Sequence, residues 1–216
     1  MSYTLIELFS YSIFIPAIAG LVRLRGVDQA FVPFIVLLWV GVLNEIVNTV
    51  VINKGLSNAL NDNIYGLLES YLVLWYFKRQ QLFEGRENLF KVLIFLYAGA
   101  WVLINFFMFS IHIFSSYFNI FYGLCIVLMS IHHISRLLIN GKKRLLQQAS
   151  FLVAIGFISF FTYKILIEIF WVYGLNASDE FRRQVYRLLA YINLSVNLLY
   201  FIAVLWMPKK QEYTLL

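Results

Sequence analysis

Charged side chains are scarce in this sequence: they make up 13% of 216 residues, whereas hydrophobic side chains make up 62%. Soluble domains average about 25% charged and about 45–50% apolar residues. The scarcity leaves almost no room for a soluble domain, and it provides no basic soluble face of the kind that binds nucleic acid. We therefore expect one all-α integral membrane domain over residues 1–216.

Cysteine and histidine are also rare. Cys125 is the only cysteine, which excludes an intrachain disulfide. The histidines are divided between His112 and the pair His132–His133, which we place near opposite membrane surfaces, so one metal site cannot use all three. We interpret the pair, beside Arg136, as a basic patch at lipid headgroup level. HExxH, GxSxG and glycine-rich phosphate loops are absent, so we expect no metal or cofactor and assign no catalytic residue.

Long apolar stretches, in contrast, are abundant. A helix that spans a membrane needs about 20 mostly apolar residues. Seven stretches meet this requirement and predict seven transmembrane helices, at roughly 3–22, 31–52, 61–78, 90–110, 115–138, 147–173 and 186–207. The break near residues 110–116 has the weakest signal because it contains no charged residue.

Basic residues are divided unevenly between the two sets of loops. Twelve lie on one predicted side, four lie on the other, and Lys164 falls inside a predicted helix. Lysine and arginine accumulate in cytoplasmic loops. We therefore expect the N-terminus outside, the C-terminus in the cytoplasm, and a location in the cell (cytoplasmic/inner) membrane.

Five charged residues interrupt the apolar stretches, namely Glu7, Glu45, Glu69, Lys164 and Glu168. A charge at membrane depth costs at least about 2.5 kcal/mol, so each is a candidate functional residue. In the predicted topology they gather in the outer half of the membrane, and neighbouring polar residues recur at helical spacings of three or four. The residues predicted to line a ligand pocket are Glu45, Asn48, Glu69, Asn105, Asn119, Tyr122, Lys164, Glu168, Asn193 and Asn197.

Other interpretations of these residues remain open. An asparagine in a membrane helix often serves only to bond two helices together. Lys164 and Glu168 are four residues apart and could form a structural ion pair, and Glu7 lies close enough to the surface to reach water. Glu45 and Glu69 have the strongest functional case, because no basic residue shares their helix segments at that depth. With four glutamates facing one lysine, we expect either protonated glutamates or a bound cation.

The predicted architecture resembles that of heptahelical receptors and microbial rhodopsins, although the retinal lysine of helix 7 in the rhodopsins has no counterpart here. The architecture also resembles that of transporters with a 3+1+3 arrangement of helices, although the Pro-Gln signature of that group is missing. With Asn44-Glu45 in predicted helix 2 and Tyr65…Glu69 in predicted helix 3, the chain also resembles small seven-helix integral membrane proteins of bacteria. This last resemblance covers the whole chain and implies the fold but no activity.

The function that fits these observations best is a ligand-binding sensor or receptor-like membrane protein. A lipid-active hydrolase or transferase using pocket glutamates and a small-solute transporter are the alternatives. Residues 208–216 are too few for an output domain, so a sensor would act through a membrane or cytoplasmic signalling partner. The other expected partners are membrane lipids and a small cationic or amphipathic ligand, with no role for nucleic acid.

Overall fold

The computed structural model describes residues 9–140, 145–173 and 178–210, and this part of the chain contains seven α-helices and no β-strand. The prediction of an all-α chain is confirmed for these residues. Glu7 lies outside them. The helices are α1 (Phe14–Arg23, after a 3₁₀ turn at Tyr11–Ile13), α2 (Val32–Asn53), α3 (Ala59–Arg79), α4 (Glu87–Val102, continued by a π-helical segment at Leu103–Met108), α5 (Ser116–Asn140), α6 (Ala149–Val172) and α7 (Asp179–Trp206).

Local sequence explains where several helices begin and end. Asp28 accepts a hydrogen bond from the backbone of Ala30 at 2.8 Å, and Pro33 lies in the first turn of α2. Ser178 accepts a bond from the backbone of Phe181 at 3.2 Å and so caps α7. Just beyond the end of α2, Gly55 has a φ of 71°, a left-handed conformation that glycine adopts without strain.

Five helical segments are long and apolar enough to cross a membrane, an architecture that indicates a multi-pass membrane protein. The segment at Tyr11–Arg23 is apolar but shorter. Helix α3 has the length of a span but is more polar, with Asp62 and Glu69 among its residues. The five segments are Gln29–Asn53, Glu87–Met108, Ser116–Ile139, Ala149–Val172 and Arg187–Trp206.

Six of the seven described helices form a ring, and α4 lies outside it. Around the ring each helix contacts the next, in the order α1, α2, α3, α5, α6, α7 and back to α1. Helix α4 packs mainly against the outer side of α3 and α5. In its most apolar stretch of 18 residues, only 11% of the residues are buried in the bundle. Side chains such as Phe95 and Phe107, which are 75% and 78% exposed, therefore face the surroundings of the bundle.

The two ends of the ring differ. We call the end that carries residues 24–28, 80–86 and 207–210 the basic end, and the end that carries residues 54–58 and 109–115 the pocket end. At the basic end Arg23 donates to the carbonyls of Val204 and Met207, and Lys210 N donates to Gly26 O at 2.8 Å. These bonds hold the chain segments together where α1, α2 and α7 meet.

An aromatic cluster fills the ring on its basic side. Phe34 packs edge-to-face against Tyr200 and Phe157, with ring centroids 5.1 Å and 6.1 Å apart, and lies 5.9 Å from Tyr76. Phe157 also contacts Phe77 at 6.0 Å. Offset and edge-to-face ring pairs of this kind stabilise a core beyond the area that they bury. The interior of the ring is therefore closed towards the basic end.

Candidate functional site

The ring encloses a cavity of about 840 Å³ that extends towards the pocket end. This volume is in the range of small-molecule binding pockets, roughly 300–1,000 Å³. Five ring helices (α2, α3, α5, α6 and α7) and Ser10 and Ile13, just before α1, contribute to its wall, whereas α4 does not. Eight of the ten residues predicted for the pocket line this cavity: Glu45, Asn48, Glu69, Asn119, Lys164, Glu168, Asn193 and Asn197.

The wall of the cavity changes in character with depth. The rim at the pocket end is mainly apolar. Its apolar residues are Phe109, Ile113, Phe114, Trp171 and Val172, and Ser115, Ser116 and Tyr117 adjoin them. The next layer, which we call the polar belt, comprises Asn44, Glu45, Asn48, Asp62, Asn119, Lys164, Glu168 and Asn193. The deepest layer, the apolar floor, is formed by Leu37, Leu38, Phe157, Phe161 and Tyr200. The floor rests on the aromatic cluster.

Glu69 is the most completely bonded acid of the cavity. Tyr65 donates to its Oε1 at 2.9 Å, Tyr122 donates to its Oε2 at 2.6 Å, and Lys164 Nζ lies 3.1 Å from the same Oε2. Lys164 Nζ also donates to Tyr122 Oη at 2.6 Å. Glu69 is only 4% exposed, and a buried ion pair of this kind is stable only when such additional hydrogen bonds are made.

These contacts change the interpretation of two predicted residues. Lys164 pairs with Glu69 of α3 and not with Glu168, which is four residues away on its own helix. The structural ion pair considered for Lys164 and Glu168 was therefore assigned to the wrong glutamate. Glu69 therefore lies at the same depth as a basic residue of another helix, Lys164. Tyr122, which is buried beside the cavity, is hydrogen-bonded to both.

Glu168 and the asparagines Asn119 and Asn197 are bonded between helices. Asn119 donates to Glu168 Oε1 at 2.7 Å and so connects α5 with α6. Asn197 donates to Ser12 Oγ at 2.8 Å and connects α7 with the turn before α1. Both asparagines thus bond helices to each other as well as facing the cavity.

A second acidic wall lies between α2 and α3, and sequence reasoning missed most of it. Asp62 accepts hydrogen bonds from Asn48 at 2.7 Å and from Asn58 at 2.8 Å. Glu45 lines the same wall and receives no hydrogen bond from any residue that the structure describes. The spacing of four between Asn58 and Asp62, directly after the short loop that follows α2, is the signal that could have identified this wall.

Two further asparagines lie outside the lining of the cavity: Asn63, which was not predicted for the pocket, and Asn105, which was. Asn63 donates to the carbonyls of Ile111 and Ile113, both at 2.8 Å, and accepts from Ser115 N at 2.9 Å, so it holds the loop 109–115 in place. Asn105 does not line the cavity. It is buried in the π-helical continuation of α4, where it donates to Trp101 O at 2.9 Å.

The histidines lie apart from the cavity. His133 is only 3% exposed and packs against Phe77, with ring centroids 5.8 Å apart. The interpretation of His132–His133 as a headgroup-level patch is therefore wrong for His133, because helix α5 turns that side chain into the core, while His132 is exposed. Among the described residues no group of three or more His, Cys, Asp or Glu side chains could hold a metal ion.

No protein-family model, no curated protein and no solved structure matches this chain. The arguments for a function therefore rest on the geometry and charge of the cavity itself.

Proposed function

We propose that the chain spans the cytoplasmic membrane seven times, with the pocket end outside. The uneven distribution of basic residues, twelve against four, supports this orientation. The position of α3 supports the number of spans: this polar helix is enclosed by α2, α4 and α5, and its Asn63, Glu69 and Ser70 are buried. A polar helix with its polar side turned inward can cross a membrane without exposing those groups to lipid.

Within this topology we propose a receptor-like protein that binds a small cationic or amphipathic ligand. The observation that carries the proposal is the cavity inside the ring, whose described wall holds Glu45, Asp62, Glu69 and Glu168 and one lysine. Since Lys164 is already paired with Glu69, the remaining three acids have no other basic side chain among the described residues that line the cavity. A ligand with a positive charge would compensate these acids inside the ring, where charges interact more strongly than in bulk water.

Access from one side favours a receptor over a transporter. A transporter needs a site that opens to both membrane faces. Here Phe34, Phe157 and Tyr200 close the ring below the cavity, and the bonds of Arg23 hold the basic end together. We propose that a bound ligand changes the packing of this closed half, and that a membrane or cytoplasmic partner senses the change.

The proposal is tested by ligand-induced thermal stabilisation of the purified protein in phosphatidylcholine nanodiscs. We expect butylamine or choline at about 100 times its Kd to raise the Tm by roughly 5 °C or more. In Glu45→Gln the same amine should give a clearly smaller shift, because the ligand loses a carboxylate that the protein leaves without a hydrogen bond.

Glu87→Gln is the matched control. It makes the same change at the basic end, where Glu87 has a side chain that is 62% exposed and lies 3.9 Å from Lys78. This variant should respond to the amine as the wild type does. If neither amine stabilises the wild type, or if Glu45→Gln responds as strongly as the wild type, the proposed ligand class is wrong.

A further inference from the structure

We infer that the ligand of this cavity is a single-chain alkyl amine, bound with its amino group in the polar belt and its alkyl chain on the apolar floor. The inference rests on the proposed function for the charge of the head. It adds an alkyl chain to that charged head, the direction in which the chain points, and Gly41 as the residue beside its path.

The direction of the ligand follows from the order of the layers. On α2 the polar Asn44 and Glu45 lie nearer the pocket end than Leu37 and Leu38, and on α6 Lys164 and Glu168 lie nearer than Phe157. The polar groups of the two opposing helices are therefore at one depth, and the apolar groups at another. A molecule that satisfies both layers has its charged group towards the pocket end and its apolar part towards the basic end.

The floor is mainly apolar and suits an alkyl chain, with the Tyr200 hydroxyl as the one polar side-chain group among its five residues. Leu37, Leu38, Phe157 and Phe161 line this end of the cavity with aliphatic and aromatic groups. The last three are otherwise packed into the bundle, each at most 2% exposed. The polar atoms at this depth on α3 are already used, because Tyr65 donates to Glu69. An alkyl chain would gain affinity here by leaving water, by about fourfold for each methylene.

Gly41 lies at the junction of the two layers and lines the cavity. It is four residues before Glu45 and three after Leu38, so it occupies the same face of α2 as both. A Cβ at this position would lie 2.6 Å from Ile13 Cδ1 and 3.6 Å from Tyr65 Oη. The missing side chain therefore leaves room for Ile13, which also lines the cavity, and a larger residue at position 41 would displace Ile13 between the belt and the floor.

The negative charge of the polar belt also distinguishes two possible ligands, a free alkyl amine and an aminophospholipid with one acyl chain. A free amine carries only a positive charge. An aminophospholipid with one acyl chain, such as lysophosphatidylethanolamine, would bring its phosphate beside Glu45, Asp62 and Glu168, where like charges repel. We therefore expect the free amine to bind and the phospholipid to bind much more weakly.

The experiment measures the Kd of butylamine, hexylamine and octylamine by calorimetry in phosphatidylcholine nanodiscs, with empty nanodiscs subtracted. In the wild type we expect octylamine to bind about 100-fold more tightly than butylamine, or better. Octyl sulfate, with the same chain and the opposite charge, should not bind. Lysophosphatidylethanolamine binding as tightly as octylamine would overturn the assignment to a free amine.

Gly41→Val should weaken the binding of octylamine far more than that of butylamine, and so abolish most of the dependence on chain length. Gly99→Val is the control, since Gly99 is a helical glycine of α4 with no atom within 4 Å of an added Cβ. If Gly41→Val does not fold, Leu38→Ala replaces it. That variant deepens the floor, and the chain length at which affinity stops rising should increase.

The possible results test the assignment of the alkyl chain and the proposed binding of an amino group independently. If butylamine and octylamine bind equally to the wild type and both depend on Glu45, the tail assignment is overturned and the proposed function stands. If no amine of any length binds, the proposed function fails together with the tail. An unchanged chain-length profile in both Gly41→Val and Leu38→Ala would also overturn the assignment to this floor.

Discussion

Lys164 of α6 and Glu69 of α3 form an ion pair across the ring, with Nζ and Oε2 3.1 Å apart. The pair is inside the bundle, where the lysine side chain is 20% exposed and the glutamate side chain 6% exposed. Tyr122 contacts both partners through its hydroxyl group, since it donates to the carboxylate and accepts from the ammonium. These three residues connect α3, α5 and α6 at the depth of the cavity.

Removing one partner of this pair should destabilise the protein strongly. Lys164→Met leaves the Glu69 carboxylate buried without its cation, and such a change typically costs about 3–5 kcal/mol. We expect a clear fall in the Tm or in the denaturant midpoint of the variant. Lys78→Met is the control, because the Lys78–Glu87 pair is 3.9 Å long and exposed, and such a pair contributes about 1 kcal/mol or less. Equal stability of Lys164→Met and wild type would contradict a role of the pair in folding.

Tyr122→Phe should cost about 1–3 kcal/mol of unfolding free energy, because it leaves Glu69 and Lys164 each one hydrogen bond short. The matched variant is Tyr76→Phe. The Tyr76 hydroxyl is buried and has no hydrogen-bond partner among the described residues, so its removal should be neutral or stabilising. Chemical denaturation of both variants beside the wild type measures the difference. A Tyr76→Phe variant that loses as much stability as Tyr122→Phe would show that ring packing, and not the bonds to Glu69, determines the effect.

Asn63→Ala should loosen the loop at the rim of the cavity. Asn63 makes three hydrogen bonds to backbone groups of residues 111–115, and alanine can make none of them. We expect faster hydrogen exchange of the backbone amides in this loop. Asn193→Ala is the control, since Asn193 lines the cavity on α7 and is remote from the loop in sequence. Unchanged exchange of the loop in Asn63→Ala would show that its own packing is sufficient to hold it.

Two glycine substitutions should have opposite effects on stability. A Cβ at Gly156 would overlap the ring of Tyr200, so Gly156→Ala should cost about 1–3 kcal/mol through overpacking. Gly99 has open space around it, so Gly99→Ala should stabilise α4 by about 0.5–1 kcal/mol through its higher helix propensity. Thermal unfolding of the two variants measures both signs. A Gly156→Ala variant as stable as the wild type would show that Tyr200 can move aside without cost.

Sequence periodicity predicted several neighbours within one helix and could not predict partners across helices. The spacing of four between Tyr65 and Glu69 correctly indicated that they share a face, and the two are hydrogen-bonded. The same spacing suggested Glu168 as the partner of Lys164, but the partner is Glu69. The competing carboxylate comes from a helix that is 95 residues away in the chain, and no local pattern contains that information.

Asn105 shows a second limit of the sequence pattern. Its depth in the predicted topology was the same as that of the pocket residues, which made it a candidate for the pocket. Helix α4, however, lies outside the ring, so a residue at the right depth is on the wrong side of α3 and α5. Hydropathy gives the depth of a residue along a helix, whereas the order of helices around a bundle depends on how their surfaces fit.

The sequence alone determined that the chain is helical and apolar, and it gave the approximate helix boundaries and the relative positions of polar side chains on each helix. Composition and the 3.6-residue period are sufficient for that, because both act within single segments. The tertiary structure decided which faces meet. At Gly66, for example, the absence of a side chain lets Asn119 and Tyr122 of α5 approach α3, where a Cβ would come within 3.3 Å and 3.6 Å of them. Close approaches of this kind fix the rotation of each helix, and that rotation brings Glu69, Tyr122 and Lys164 together beside the cavity.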